Sequence, residues 1–108
     1  MQEAIDAIAE PRRRAILALV RDAELPAGEI ARHFDVTRPA VSQHLRVLER
    51  AGLVTVRPDG TRRLYRARPE GLAGLRAFLD EFWEKGLAEL KREAEAEQRR
   101  RDGSHDRN

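Results

Sequence analysis

Arg38, Ser42, Gln43 and Arg46 fall within nine residues of one another. Their side chains are two guanidinium forks, a hydroxyl and an amide. A guanidinium donates in pairs to guanine, an amide pairs with adenine, and a hydroxyl serves several bases. The surrounding stretch reads TRPAVSQHLRVLERAG. Val41, Leu45 and Leu48 recur at spacings of four and three, which makes one apolar stripe. Placed on a helical wheel, Pro39, Gln43, Arg46 and Arg50 point away from that stripe, and Arg38 and Ser42 flank it. Thr37 is expected to cap this helix, Pro39 fits its first turn, and Gly52 suits its end. The outer face, Thr37 included, suits base edges and adjoining phosphates.

Other chemistry is poorly supplied. There is no cysteine, so disulfides and thiolate metal sites are excluded. His33, His44 and His105 are far apart, and none has a second ligand at helical spacing. Ser42 and His44 are two apart on a helix, so their side chains diverge. No nucleophile–base pair of the kind catalysis needs is visible, and a non-enzyme is expected. His44 sits between the buried and outer faces, where a structural or phosphate hydrogen bond suits it.

The net charge of +2 hides a segregation. Residues 37–68 hold eight arginines and two acids, whereas residues 1–36 and 69–108 are each net −2. An arginine-rich coding bias would raise the first number but would not remove acids from the same segment. Arg57, Arg62 and Arg63 belong to this basic third. Aromatics are 5% and charged residues 37%, so the core is small and long solvated helix faces are expected. No apolar run approaches the ~20 residues of a membrane span, and a cytoplasmic protein without membrane contact is expected.

The elements that hold the polar stretch follow in order. A short helix over 2–9 carries Ala4, Ile5 and Ile8. Pro11 opens a second helix with Ile16, Leu17, Leu19 and Val20 on one face. Arg12, Arg13 and Arg14 crowd its first turn, where cations oppose the helix dipole, and this hints at an anionic partner. A third helix over about 27–34 turns inward Ile30, Ala31 and Phe34. A three-residue turn then leads into Thr37, which completes a helix-turn-helix pattern. After Gly52 the period falls to two, and Pro58-Asp59-Gly60-Thr61 makes a turn. The resulting β-hairpin carries basic residues around its tip and reads as a wing.

From Pro69 to about Gln98 the chain returns to helix. Leu72, Leu75, Leu79, Phe82, Leu87 and Leu90 recur at threes and fours, with one step of five across Gly86, and Phe78 and Trp83 widen the stripe. So small a domain cannot bury this stripe itself, and a two-fold partner helix can. Ile5, Ile8, Leu75, Leu79, Phe82, Trp83, Leu87 and Leu90 are therefore expected at a homodimer interface. Gly86 either allows close approach or splits the helix. Residues 99–108 hold no apolar side chain and read as a disordered tail. The expected fold is mainly α with a small β-hairpin: a winged helix-turn-helix over residues 1–98, with N- and C-terminal helices forming the dimer interface.

The run through Pro11-Arg12-Arg13, Ile16-Leu17, Gly28-Glu29-Ile30-Ala31, Val41-Ser42-Gln43-His44-Leu45, Leu48, Ala51-Gly52-Leu53-Val54 and Gly60 to Tyr65 resembles the ArsR/SmtB family. The likeness covers about residues 3–67. It implies a homodimeric winged-helix repressor of transcription that binds double-stranded DNA at a palindromic site. By that resemblance the base-contacting positions fall on Arg38, Pro39, Ser42 and Gln43, the wing contacts on 57–63, and an N-terminal arginine contact on Arg13. The family's metal sensors carry cysteines where this chain has Leu25 to Glu29, or Asp and His pairs on the last helix, which here has Asp80, Glu81 and Glu84 and no histidine. No metal and no cofactor are therefore expected. The alternatives are a winged helix that binds protein instead of DNA, or a repressor released by a small apolar molecule.

Overall fold

The computed structural model describes residues 1–106, the last four as backbone alone. The order is α1 Gln2–Ala9, α2 Pro11–Asp22, β1 Leu25–Pro26, α3 Ala27–Ala31, α4 Arg38–Arg50, β2 Val54–Asp59, β3 Arg62–Ala67 and α5 Pro69–Asp106. It divides into two compact units, Met1–Leu75 and the chain from Arg76 onward.

The first unit is a winged helix-turn-helix. Helix α2 starts where the Glu10 carboxylate accepts from Arg13 N at 3.0 Å and Pro11 occupies the first turn. Helix α4 starts where the Thr37 hydroxyl accepts from Ala40 N at 3.3 Å. It ends in a Schellman turn. Gly52 N donates to Glu49 O and Leu53 N to Leu48 O, both at 3.0 Å, and Gly52 takes φ +74°. The hairpin pairs Asp59 with Arg62 across a two-residue turn in which Gly60 has φ +64°. The core is aliphatic: Ile16, Val20, Ile30, Val41, Leu45, Leu48 and Leu53 are all fully enclosed.

Four features differ from the sequence expectation. The third helix closes at Ala31, and residues 32–34 continue as tighter turns bonded three residues back. The sheet has a third strand, β1, so its order is β1-β3-β2. Its Pro26 is tolerated because β1 is an edge strand. Leu75, expected at a dimer interface, is instead buried in the core of its own unit, and Ile5 and Ile8 are half-buried against that core. Finally, α5 neither splits at Gly86 nor stops at Gln98. Glu97 pairs with Arg100 at 2.6 Å and with Arg101 at 3.5 Å, so the charged segment read as a disordered tail carries helical-spacing ion pairs instead. Residues 107 and 108 lie outside the described residues.

In the second unit the helix shows no covered apolar face. Leu79, Phe82, Trp83, Leu87 and Leu90 are exposed, Phe82 and Trp83 by about two thirds. Phe78 and Phe82 stack with ring centroids 6.5 Å apart.

Candidate nucleic-acid interface

Helix α4 presents its two faces as the wheel requires. Val41, Leu45 and Leu48 are fully buried, while Arg38, Pro39, Gln43 and Arg46 are exposed and Ser42 is half-buried. Arg46 Nη1 donates to Gln43 Oε1 at 3.3 Å, which orders two of the outer groups before any ligand arrives. Thr37 stands at the helix start, its hydroxyl engaged in the cap.

The hairpin tip and α3 complete the site. An open groove of about 460 Å³ runs between them and the start of α4. Arg32, Arg38, Arg62 and Arg63 line it, with Gly28, Ser42, Thr61 and Tyr65. The four cations are only partly offset, by Glu29 in the groove and by Asp59, which accepts from Arg62 Nη2 at 3.1 Å. That pair is exposed and therefore weak, so it leaves Arg62 available to a phosphate. A groove with this lining accepts a strand of polyanion, with the helix face beside it free for base edges.

Two arginines expected at DNA are engaged inside the chain. Arg13 Nε donates to Ala7 O at 2.6 Å and Nη2 to Asp6 O at 3.0 Å. Its neighbour Arg14 donates to Ile8 O at 2.6 Å. These guanidinium groups cap the carbonyl end of α1, which is the negative partner that cations at the start of α2 called for. Arg13 Nη1 also lies 3.3 Å from His44 Nδ1. Arginine only donates, so Nδ1 accepts and the imidazole proton sits on Nε2. His44 is thus a structural link from α4 to α2. Arg57 is the second case. Its Nε and Nη2 hold both oxygens of Glu24, the shortest contact being 2.6 Å. The Arg57 hydrogen bond is the main reason the Glu24 carboxyl sits below its ordinary range.

Sequence reasoning missed Arg32 and Tyr65 as groove residues, whereas Thr61 falls within the expected wing stretch. Arg32 lies outside the basic third of the chain and reaches the groove because the helix-turn-helix brings the end of α3 beside the start of α4. Among the described residues no group of three His, Cys, Asp or Glu side chains could hold a metal ion, and no helix is long and apolar enough to cross a membrane.

Residues 8–57 match a protein family described as a helix-turn-helix domain. Over 81 residues the chain is 53% identical to the HTH-type transcriptional regulator Rv2034 of Mycobacterium tuberculosis, covering 75% of this chain and 76% of that protein. Its fold is similar to the homodimeric winged helix-turn-helix DNA-binding domain (fragment 1–100) of Mb0332 from Mycobacterium bovis, described as a possible ArsR-family transcriptional regulator, with TM-score 0.63, 31% identity and 78% of each chain covered. The chain belongs to the ArsR/SmtB family. It is also 38% identical over 55 residues to the transcriptional repressor SdpR of Bacillus subtilis, covering 51% of this chain and 61% of that protein. As a member of this family it is a DNA-binding transcriptional regulator. The matched segment 8–57 contains α2 through most of β2, and so includes the whole of α3 and α4, and it excludes the wing tip and α5.

Proposed function

We propose that this regulator is a homodimeric repressor that acts in the cytoplasm by occupying a palindromic operator, by binding alone and without catalysis. The observation that carries the reading is the groove where Arg32, Arg38, Arg62 and Arg63 converge beside the exposed Arg38–Gln43–Arg46 surface. In it, Arg38, Ser42, Gln43 and Arg46 read base edges in a major groove, with Pro39 packed against the bases, and Arg62 and Arg63 hold the flanking backbone. Thr37 keeps the helix start in place. The exposed stripe of α5 supports a second copy as its cover, and the homodimeric relative supports the same arrangement. Two copies place two recognition helices on one duplex, with half-sites about 10 base pairs or a multiple apart.

Selection of bound duplexes from a random pool, followed by gel-shift titration at two salt concentrations, tests this. The expected result is an inverted repeat whose spacing matters. Equal affinity for the selected repeat and for random duplex at both salts would refute it. Gln43→Ala is expected to relax base preference at one position per half-site. Arg62→Ala is expected to weaken all sequences alike and to reduce the salt slope by about two, one contact being lost in each subunit of the dimer. Identical behaviour of the two variants would refute the assignment of one to bases and the other to phosphate.

A further inference from the structure

Glu24 immediately precedes β1, and Arg57 lies on β2, with β3 between the two strands. The register pairs Leu25 with Tyr65 and Arg57 with Leu64. Facing residues of an antiparallel pair share a face, and neighbours along a strand alternate. Tyr65 and Ala67 therefore share the core face, whereas Leu64 and Arg57 lie on the other. Leu64 is nevertheless buried, at 7% exposure, although it is not part of the core cluster. The Glu24–Arg57 pair spans the sheet on Leu64's own side, through three hydrogen bonds of 2.6 to 3.2 Å. It is a strap from the body of the domain to the outer strand of the wing.

The wing needs such a tie. A two-stranded hairpin is marginal by itself, and β1 contributes only two paired residues. The outer strand β2 has β3 as its sole ladder partner. We propose that Glu24 is a positioning residue for DNA binding: by holding Arg57 across the sheet it fixes the hairpin so that Arg62 and Arg63 stand in the groove beside Arg38, and Arg57 itself does not engage the duplex. This rests on the reading of the groove as the DNA backbone site. The opposing electrostatic account is that Glu24 competes with phosphate for Arg57. The two accounts differ in sign, because removing an acid near DNA tightens binding unless that acid holds something in place.

Fluorescence-anisotropy titration against a mixed-sequence duplex, repeated from about 50 to 200 mM salt, separates them. Glu24→Gln and Arg57→Met are each expected to weaken binding roughly two- to fivefold, the range of an exposed ion pair. Neither should change the salt slope, and the double variant should be no worse than either alone. Exchanging the pair, with Glu24→Arg and Arg57→Glu together, should restore affinity. In an Arg62→Ala/Arg63→Ala background both losses should vanish, which a general loss of stability would not produce. Tightening or no change in Glu24→Gln, or a slope reduced by about two in Arg57→Met (one contact per subunit), would overturn the proposal. If Arg62→Ala/Arg63→Ala alone leaves affinity unchanged, the wing has no part in binding and the reading beneath the proposal fails first.

Discussion

Gly71→Ala sets two well-measured effects against each other. On helix propensity alone the change should stabilise α5 by about 1 kcal/mol. The packing says otherwise. A Cβ on Gly71 would stand 1.9 Å from Gly52 O, 2.9 Å from Gly52 C and 3.4 Å from Leu53 Cα. None of these atoms is the far end of a flexible side chain. The Gly52 carbonyl cannot swing away, because Gly52 N and Leu53 N are bonded into the Schellman turn and Arg68 Nη1 donates to the same carbonyl at 3.3 Å. Relief must come from the first turns of α5, which would retreat by more than an ångström to reach ordinary contact near 3.4 Å. Leu72 and Leu75 would retreat with them from the core. Overpacking of this kind costs about 1–3 kcal/mol, and partial withdrawal of a core leucine adds to it. The expected net loss is about 2–3 kcal/mol after the propensity gain. For a unit of this size that lowers Tm by roughly 10–20 °C. Circular dichroism during thermal and urea unfolding, at one fixed protein concentration, reads it. Gly74→Ala is the control: nothing lies within 4 Å of its Cβ, so it should gain up to about 1 kcal/mol. A Gly71→Ala protein as stable as the parent would refute the close crossing of α5 over the end of α4.

Three other outcomes follow from the same geometry. Trp83→Glu should leave helix content unchanged while sedimentation shows monomer at micromolar protein, with operator affinity lost; a persistent dimer would remove α5 from the interface. Acid should weaken the fold through Glu24 and Glu10. Hydrogen bonding from Arg57 lowers the Glu24 carboxyl; for Glu10, desolvation raises it but is outweighed by the Arg13 and Arg12 backbone N–H bonds. Both contributions are present above the ordinary value of 4.5 and are lost as pH falls through the depressed one. Urea midpoints in an acid series should therefore fall less steeply for Glu24→Gln than for the parent. Last, each phosphate contact contributes about −0.9 to the slope of log affinity against log salt. The three groove arginines not assigned to bases, Arg32, Arg62 and Arg63, imply about −5 for a dimer, and eight phosphate contacts per subunit would imply about −14.

The parts of the fold legible in sequence are those fixed by neighbours along the chain. The Thr37 cap, the Val41–Leu45–Leu48 stripe and the Gly52 stop all act within one helix, and the Gly60 turn acts within one hairpin. Strand β1 was not legible, because two residues show no period. Leu25 and Pro26 become a strand only by pairing with Tyr65 and Leu64, some forty residues later. Leu75 shows the same divide from the other side. Period alone places it on one stripe with Leu79 and Leu90. Which neighbour covers each part of that stripe depends on the Gly52–Gly71 crossing, which brings Leu75 into its own core. Nothing in the spacing of leucines records that contact.

The arginines make the corresponding argument for the site. Their number along the chain measures a potential, and their partners decide where it acts. Arg13 and Arg14 looked misplaced at the start of α2 because the dipole considered was that of their own helix. The relevant one belongs to α1, whose terminal carbonyls they cap. The Glu24 partner of Arg57 was not legible because the hairpin was read without the strand beside it, and Glu24 is adjacent only once β1 exists. Arg32 was overlooked because it lies before the basic third. With the engaged cations set aside and Arg32 added, the positive charge is no longer a property of one segment. It is concentrated where α3, α4 and the hairpin tip meet, so the fold converts a diffuse excess of arginine into a groove lined by Arg32, Arg38, Arg62 and Arg63. Two acids of the first third are taken up in the same way: Glu10 caps a helix and Glu24 holds Arg57, whereas Glu29 stays in the groove beside the arginines.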